Sequence, residues 1–168
     1  VLIHALMKTG SILLPVSPRL SDEERSRALK QCRVSIDLDE PDRLTRTEAD
    51  MPLLGEHDME DIHCRILTSG SSGAAHAVGL TYGNHLFSAM GSAYNIGIDP
   101  GDRWLCALPL SHISGLSIIM RSVMYGTAVV LHDGFDVDAV ARSIPEQDVN
   151  VISMVSTMLL RLLDAGAD

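Results

Sequence analysis

Apolar and polar positions alternate along the chain in two ways, as short apolar runs and as longer segments with helical spacing. The apolar runs predict strands at residues 11–15, 33–37, 62–67, 78–81, 103–107, 128–132 and 149–153. The segments with helical spacing predict helices at residues 1–9, 22–31, 85–97, 114–125, 137–144 and 157–165. Because strands and helices follow one another in turn, we expect an α/β fold with a mainly parallel sheet and helices on both faces.

Individual residues mark where the first of these elements begin and end. Gly10 is a stop signal for the first helix, and Pro15 ends a short strand that we expect to be buried. Ser21 and Glu24 have the spacing of a capping box, in which each side chain bonds a backbone amide at the start of a helix. The second helix is therefore predicted to begin directly after Ser21.

Other residues predict the core and the starts of later helices. Four large side chains share one face of the helix 85–97 and are expected in the core: Leu86, Phe87, Met90 and Tyr94. Asn84 and Ser156 are predicted to cap the helices that follow them. Residues 127–131 are continuously apolar, which is typical of a strand covered on both faces.

Residues 38–60 differ from the rest of the chain, since they carry many acidic side chains and show no periodicity. We interpret them as a connector, part of it mobile. They separate an early β-α-β segment, residues 1–37, from a central α/β part, residues 61–168. The chain opens in mid-pattern and ends on a helix that has barely closed, so we expect an excised piece of a larger protein.

The composition argues against several classes of function. A net charge of −9 argues against nucleic acid or an anionic membrane surface as a partner, although backbone amides can still hold a small anion. No apolar run reaches the roughly 18 residues of a membrane span. Cys32, Cys64 and Cys106 are too scattered for a zinc site or a disulfide framework, so we expect no metal-binding residues and a cytoplasmic location. The sequence neither predicts nor excludes a homo-oligomer.

The most informative stretch is a run of small residues that follows a predicted strand. Its members are Thr68, Ser69, Gly70, Ser71, Ser72 and Gly73. Such residues allow several backbone N–H groups to point at one anion, usually phosphate. The same composition also makes an ordinary solvated turn, and both interpretations stay open here. The run is not a Walker A loop, because no lysine follows, and it lacks the Gly-x-Ser-x-Gly elbow of a serine hydrolase.

A second informative stretch is the corner where the strand 103–107 passes into the helix 114–125. In open α/β sheets, ligands bind beyond the carboxyl ends of strands, and His112 stands at such an end. A histidine here either faces a ligand or is an ordinary packed or surface residue. The residues after it are small, so a substrate has room to approach the backbone.

Both stretches resemble the adenylate-forming superfamily, which includes the acyl- and aryl-CoA ligases. The resemblance rests on residues 68–73 with Val78, Leu80, Thr81, Asn84 and His85, and on the segments 104–126, 129–136 and 155–158. Residues 112–117 and 120–123 are similar to the branch that joins 2-succinylbenzoate to CoA in menaquinone biosynthesis. The resemblance implies ATP, Mg²⁺ carried by the nucleotide, CoA and a small aromatic carboxylic acid as partners. It also implies that the chain is part of the large N-terminal domain, with the C-terminal lid domain outside it.

The resemblance implies roles for individual residues. The amides and hydroxyls of residues 68–73 would hold the departing pyrophosphate, which is electrostatic stabilisation of developing charge. His112 would be the catalytic residue, at the edge of the acyl pocket and facing the reacting carboxylate. The aromatic end of that pocket would be lined by Ser114, Gly115 and Ser117.

The chain departs from the family pattern beside the small-residue run. His76 stands where the family has a lysine, between Ala75 and Ala77 in place of proline and glycine. Loss of that charge next to a triphosphate could cost on the order of 1–3 kcal/mol. The alternatives are therefore a degenerate relative that binds without catalysis, or another acyl- or aryl-CoA ligase. Because the adenine-binding motif, the hinge and the C-terminal lysine of the family are missing, we do not expect these residues to catalyse alone.

Overall fold

A computed structural model describes residues 2–38, 53–69 and 75–166 of the chain. The helices are α1 (Leu2–Lys8), α2 (Asp22–Gln31), α3 (Tyr82–Ile96), α4 (Ile113–Tyr125), α5 (Val137–Glu146) and α6 (Ser156–Asp164). The strands are β1 (Ile62–Ser69), β2 (Ala75–Thr81), β3 (Arg103–Cys106), β4 (Ala128–Leu131) and β5 (Val151–Ile152). The chain divides into two compact units, Val1–Gly83 and Asn84–Asp168.

The first unit contains a β-hairpin made of β1 and β2. The two strands are antiparallel, and their register runs as far as Ser69 opposite Ala75. This confirms the predicted strand 62–67 and its predicted partner 78–81, and it extends both toward the small-residue run. The Arg65 side chain donates from Nη1 to the Cys32 carbonyl at 2.8 Å and so ties the hairpin to the end of α2.

The amino-terminal part of this unit is less regular than predicted. Helix α1 ends before Gly10, which has a φ of +67° that suits glycine, so the predicted stop is confirmed. The predicted buried strand 11–15 is wrong, because Ile12 is 47% exposed and only Leu13 forms a bridge, to Cys64 of β1. One pair of backbone contacts orders this segment without making it a strand.

The predicted strand 33–37 is also wrong. Arg33 has a φ of +52°, in the left-handed region, so the chain turns after α2 instead of extending. Asp37 then forms an ion pair with Arg25 of α2 at 2.7 Å. Alternating apolar positions at 34 and 36 suggested a strand, but Ile36 is 75% exposed and covers no core.

The predicted capping box at the start of α2 is confirmed. The amide and hydroxyl of Ser21 donate to Glu24 Oε2 at 2.8 and 2.9 Å, and the Glu24 amide donates to the Ser21 hydroxyl at 3.3 Å. These hydrogen bonds from Ser21 lower the pKa of the Glu24 carboxyl group. Because the folded-state pKa is lowered, this contribution to stability is complete above the ordinary glutamate pKa and is lost as the pH falls through the lowered value.

Replacing Ser21 with alanine is expected to raise the pKa of Glu24 toward its ordinary value, since the carboxylate loses its hydroxyl donor. The pKa is measured by NMR titration of the side-chain carboxyl carbon. Ser26→Ala is the matched control, because Ser26 lies exposed on the same helix away from Glu24. An unchanged Glu24 pKa in Ser21→Ala would show that the hydroxyl does not stabilise the carboxylate.

The second unit contains a parallel sheet with the strand order β4-β3-β5. Alternate residues of β3 point to opposite faces of this sheet. Trp104 packs on one face with Ile118 of α4, and Leu105 packs on the other with Val140 of α5 and Leu162 of α6. The prediction of an α/β fold with a parallel sheet and helices on both faces is therefore confirmed.

The predicted core face of α3 is wrong. Its four large side chains are exposed: Leu86 by 37%, Phe87 by 65%, Met90 by 44% and Tyr94 by 89%. The opposite face is buried instead, with Ala89 only 2% exposed. On this buried face, the Tyr125 hydroxyl of α4 donates to the Ala89 carbonyl. The apolar stripe therefore does not identify the buried face of this helix.

The starts of two helices differ from the predictions. Helix α3 begins at Tyr82, whose amide donates to the Asp61 carbonyl at 3.0 Å, so Asn84 lies inside the helix and is not its cap. Helix α6 begins at Ser156, and Val155 occupies the cap position without a side-chain hydrogen bond. At the start of α3, a backbone carbonyl accepts the hydrogen bond from a terminal helix amide that we predicted a side chain would accept.

The remaining predicted elements are present with small changes. Strand β4 has a buried Val130 but a 58% exposed Leu131, so the prediction of cover on both faces is wrong for its end. Within the predicted connector, residues 53–60 form no helix or strand, and residues 39–52 lie outside the described residues. None of the helices in the described ranges has the length and apolar character required to cross a membrane.

Candidate functional site

The small-residue run begins where the strands of the hairpin end. Ser69 and Ala75 form the last pair of the register, and Thr68 and His76 form the pair before it. The Thr68 hydroxyl donates to the His76 carbonyl at 3.2 Å and so joins the two strands next to the run. Gly70, Ser71, Ser72 and Gly73 lie outside the described residues, so the anion-binding arrangement of their amides stays a prediction. The hairpin defines the two ends of that loop.

Thr68 and His76 are the outermost paired residues whose side chains are described. Directly opposite residues of an antiparallel pair project their side chains to the same face, and both of these are exposed. A ligand held by the loop would therefore meet a hydroxyl and an imidazole together. The imidazole is shorter than a lysine side chain and lacks its permanent charge, so its contact with phosphate would be weaker.

In the second unit, His112 occupies the cap position at the start of α4. Its backbone is extended, with φ −111° and ψ 151°, and its carbonyl accepts from the Leu116 amide at 3.1 Å. The imidazole is exposed and makes no hydrogen bond within the described part of the chain. The backbone thus places His112 beyond the end of β3, and its ring is available to a ligand. Its catalytic role stays a prediction.

Gly115 and Ser114 lie in the first turn of α4 but in different surroundings. Gly115 is buried, and a Cβ atom there would lie 2.5 Å from the Pro109 carbonyl oxygen and 2.6 Å from that of Leu108. The absence of a side chain is what lets α4 start so close to the end of β3. Ser114 is exposed at the same turn. The predicted pocket role of both residues stays a prediction, and for Gly115 the structure adds a packing role.

Ser117 is bonded by Arg121, a residue that the site prediction missed. The Arg121 side chain donates from Nε to the Ser117 carbonyl at 3.1 Å and from Nη2 to the Ser117 hydroxyl at 3.0 Å. It also donates from Nη1 to the hydroxyl of Ser92 on α3 at 2.9 Å. Its guanidinium carbon lies 5.1 Å from the centre of the Trp104 ring. Arg121 is therefore held from three sides.

No carboxylate of a described residue forms an ion pair with Arg121. Among the described residues, the ion pairs join Arg25 with Asp37 and Arg27 with Glu23, and none involves Arg121. Burial lowers the pKa of the Arg121 guanidinium, which nevertheless stays charged at neutral pH. A half-buried cation without a counter-charge is suited to bind an anion. Arg121 is the one charged residue in the sequence of α4, and this was the signal that could have identified it.

The cysteines do not contribute a nucleophile to either stretch. Burial raises the pKa of the Cys64 thiol to about 11, and burial is also the main cause that raises the pKa of Cys106. Both thiols are therefore protonated at neutral pH, and a protonated thiol is a poor nucleophile. Cys32 is buried as well. All three cysteines are therefore buried and poorly placed to act as nucleophiles.

Within the second unit, the corner with its exposed His112 and the half-buried Arg121 is suited to a small anionic substrate, and within the first unit the hairpin carries the predicted phosphate-binding run. Residues 36–168 match the family described as AMP-binding enzyme. The chain therefore belongs to the AMP-binding enzyme family, and the resemblance to adenylate-forming enzymes is confirmed.

Particular relatives are more specific. The 2-succinylbenzoate–CoA ligase of Bacillus pumilus is 37% identical over 179 residues, which cover 96% of this chain and 37% of the relative. The structure of o-succinylbenzoate CoA synthetase from Bacillus subtilis with its acyl-adenylate intermediate has a TM-score of 0.86 and 36% identity, and covers 97% of this chain and 47% of that one. The same synthetase in complex with ATP and magnesium has a TM-score of 0.83 and 36% identity, over 96% of this chain and 48% of that one. The chain thus spans half or less of the length of the proteins it matches.

Proposed function

We propose that the whole protein is an ATP-dependent acid–CoA ligase that acts on 2-succinylbenzoate in menaquinone biosynthesis. The observation that carries this proposal is the match over 96% of the chain to a relative named 2-succinylbenzoate–CoA ligase. The unpaired Arg121 and the free His112 ring supply the chemistry that an anionic acyl substrate needs. Buried thiols suit a reducing compartment, and we place the protein in the cytoplasm.

The proposed reaction has two steps. A carboxylate oxygen of the acid attacks the α-phosphorus of ATP, the bond to the β-phosphate oxygen breaks, and pyrophosphate leaves. The sulfur of CoA then attacks the acyl carbon, the thiol proton is lost, and AMP leaves with the electrons of the acyl–oxygen bond. Mg²⁺ arrives with the nucleotide and offsets the charge of its phosphates, and we assign no residue of this chain to it.

The residues that would act on pyrophosphate lie at the end of the hairpin. Backbone amides and hydroxyls from Thr68 to Gly73 would donate hydrogen bonds to the oxygens on which charge develops. The Thr68 bond to the His76 carbonyl joins the bases of this loop, so the loop closes between two anchored positions. His76 would meet the outer phosphates with a neutral or charged imidazole in place of an ammonium group.

The residues that would act on the acid lie on α4. 2-Succinylbenzoate carries two carboxylates, and adenylation consumes only one of them. The other stays charged and needs a cation, which in this half-buried setting Arg121 would supply through the N–H groups not bonded to Ser92 or Ser117. His112, at the cap position of the same helix, would face the carboxylate that reacts.

The proposal is tested by product formation. We expect the whole protein, given ATP, Mg²⁺, CoA and 2-succinylbenzoate, to form the CoA thioester and AMP in equal amounts, measured by mass spectrometry and chromatography. Omission of ATP should abolish the thioester. Formation of AMP and thioester from other aryl acids but not from 2-succinylbenzoate would refute the substrate and retain the reaction class.

His76 favours one alternative, a binding-only relative that has lost the family's lysine. If the loop holds a triphosphate, His76→Lys is expected to tighten ATP binding about fivefold to a hundredfold, because it restores a charged hydrogen bond worth roughly 1–3 kcal/mol. Calorimetric titration with MgATP measures the dissociation constant.

Val78→Lys is the matched control for His76→Lys. Val78 is 45% exposed and lies two residues further from the loop on the same strand, so its substitution adds the same charge at a greater distance. We expect little change in ATP affinity there. Equal affinities for His76→Lys and the unaltered protein would contradict a triphosphate-binding loop.

A further inference from the structure

We propose that Ser92 is a positioning residue that sets the specificity of the acyl site for dicarboxylic acids. It would do so by fixing the Arg121 guanidinium in the orientation that meets the second carboxylate. This inference rests on the proposed function, in which Arg121 binds that carboxylate. Ser92 would not touch the substrate and would act through Arg121 alone.

The first argument comes from the origin of the three hydrogen bonds of Arg121. Two of them go to Ser117, which lies one turn earlier on the same helix. Because both residues belong to α4, these two bonds do not fix the guanidinium relative to any other element. The third goes to Ser92 on α3 and is the one that comes from another element. A planar guanidinium held at Nε and Nη2 from one side, and at Nη1 from a different helix, has lost its remaining freedom of rotation.

The second argument is the rigidity of the helix that carries Ser92. One turn before Ser92, the Ala89 carbonyl accepts a hydrogen bond from the Tyr125 hydroxyl, and Tyr125 lies one turn after Arg121 on α4. The two contacts, Ala89 with Tyr125 and Ser92 with Arg121, therefore run side by side between the same two helices. The contact of Ala89 with Tyr125 does not involve the Ser92 hydroxyl, so it is expected to keep joining the two helices when that hydroxyl is removed.

The third argument is the face of Arg121 that lies against Trp104. The ring, 2% exposed, covers the guanidinium from the side of the sheet at 5.1 Å. With Trp104 on one face and serine hydroxyls at both terminal nitrogens, one N–H on each of these nitrogens stays available to an incoming oxygen. A pair of N–H groups in a fixed plane matches the two oxygens of a carboxylate.

Loss of the Ser92 hydroxyl should therefore raise the KM for acids with two carboxylates and leave the KM for acids with one carboxylate unchanged. We expect Ser92→Ala to raise the KM for 2-succinylbenzoate about tenfold, the effect of one hydrogen bond to a charged group, with kcat within about twofold. Ser92→Thr keeps the hydroxyl and should restore the KM. Ser88→Ala is the matched control, because Ser88 lies exposed one turn earlier on α3.

A double-mutant cycle separates positioning from general structure. In the Arg121→Gln background, Ser92→Ala is expected to change the KM less than twofold, since the group that it positions is gone. Analogues of the acid that lack one carboxylate provide the second comparison. The analogue without the reacting carboxylate cannot be adenylated and is compared through its inhibition constant. The analogue without the carboxylate that Arg121 binds should be insensitive to Ser92→Ala. A full tenfold loss in the Arg121→Gln background, or an equal loss with both analogues, would overturn the inference.

The two proposals fail in different ways. A protein that forms no thioester from 2-succinylbenzoate refutes the proposed function, whatever Ser92 does. In that case calorimetric binding of the diacid to the unaltered protein, Ser92→Ala and Arg121→Gln still decides the inference. Equal dissociation constants for the unaltered protein and Ser92→Ala would overturn it.

Discussion

Replacement of Gly115 by alanine is expected to lower the free energy of unfolding by about 2 kcal/mol or more, the larger end of what overpacking costs. The new Cβ would lie 2.5 and 2.6 Å from two backbone carbonyl oxygens, and backbone cannot move aside as a flexible side chain can. The first turn of α4 would have to retreat from the end of β3, and His112 would move with it. Since a misplacement of about 1 Å can cost about a hundredfold in rate, kcat/KM should fall by that order.

Gly91→Ala is the matched control for this substitution. Gly91 also lies within a helix of the second unit, but a Cβ there meets no atom within 4 Å. Because alanine favours helix more than glycine does, Gly91→Ala should raise the free energy of unfolding by up to about 1 kcal/mol. Denaturant titration measures both variants. Equal unfolding midpoints for the two would contradict the close approach of α4 to β3.

Replacement of Arg121 by glutamine is expected to raise the KM for 2-succinylbenzoate by roughly 10-fold to 150-fold. The variant loses a charged contact with the second carboxylate, and hydrogen bonds to charged groups are worth about 1.5–3 kcal/mol. Arg121→Lys should recover only part of this loss, because an ammonium group cannot present two N–H groups in a fixed plane. Steady-state kinetics with the acid as the varied substrate measure the effect.

Arg142→Gln is the matched control for the loss of charge. Arg142 is exposed on α5, so its removal changes the net charge equally without touching α4. We expect no more than a twofold change in KM there. If Arg121→Gln were as active as Arg142→Gln, the second carboxylate would be bound elsewhere.

The elements that the sequence predicted correctly are those determined by neighbouring residues. The capping box of Ser21 and Glu24 needs only a serine and a glutamate three positions apart, and Gly10 stops α1 by adopting a positive φ. Strand β3 and helix α4 follow from an apolar run and a helical period that are each strong locally. In these cases local preference and final structure agree.

The elements that the sequence failed to predict depend on contacts made over long separations. The buried face of α3 carries Ala89, whose carbonyl accepts from Tyr125, 36 positions later, whereas the larger side chains lie on the exposed face. The segment 33–37 has the apolar alternation of a strand, but Arg33 turns the chain away and leaves it without a partner strand in the described part. Amphipathic spacing shows that a helix has a face without showing which face is covered.

Only part of the candidate site was predicted, because some of its residues are recognisable from the local sequence and others only from long-range contacts. His112 and the small-residue run stand out because their residue types and their places at strand ends are visible in sequence. Arg121 does not, because its significance comes from what surrounds it: two serines, a tryptophan ring and no described carboxylate. The sequence feature that indicates Arg121 is its position as the one charged residue of α4.

We proposed above that residues 68–73 form a nucleotide phosphate site in an enzyme that adenylates 2-succinylbenzoate. Exchange of labelled pyrophosphate into ATP by the whole protein tests it most directly, since exchange requires that the acyl-adenylate forms and that pyrophosphate returns to the same site. We expect exchange that depends on Mg²⁺ and on 2-succinylbenzoate and proceeds without CoA. Thioester formation without any such exchange, or no exchange with any aryl acid, would contradict it.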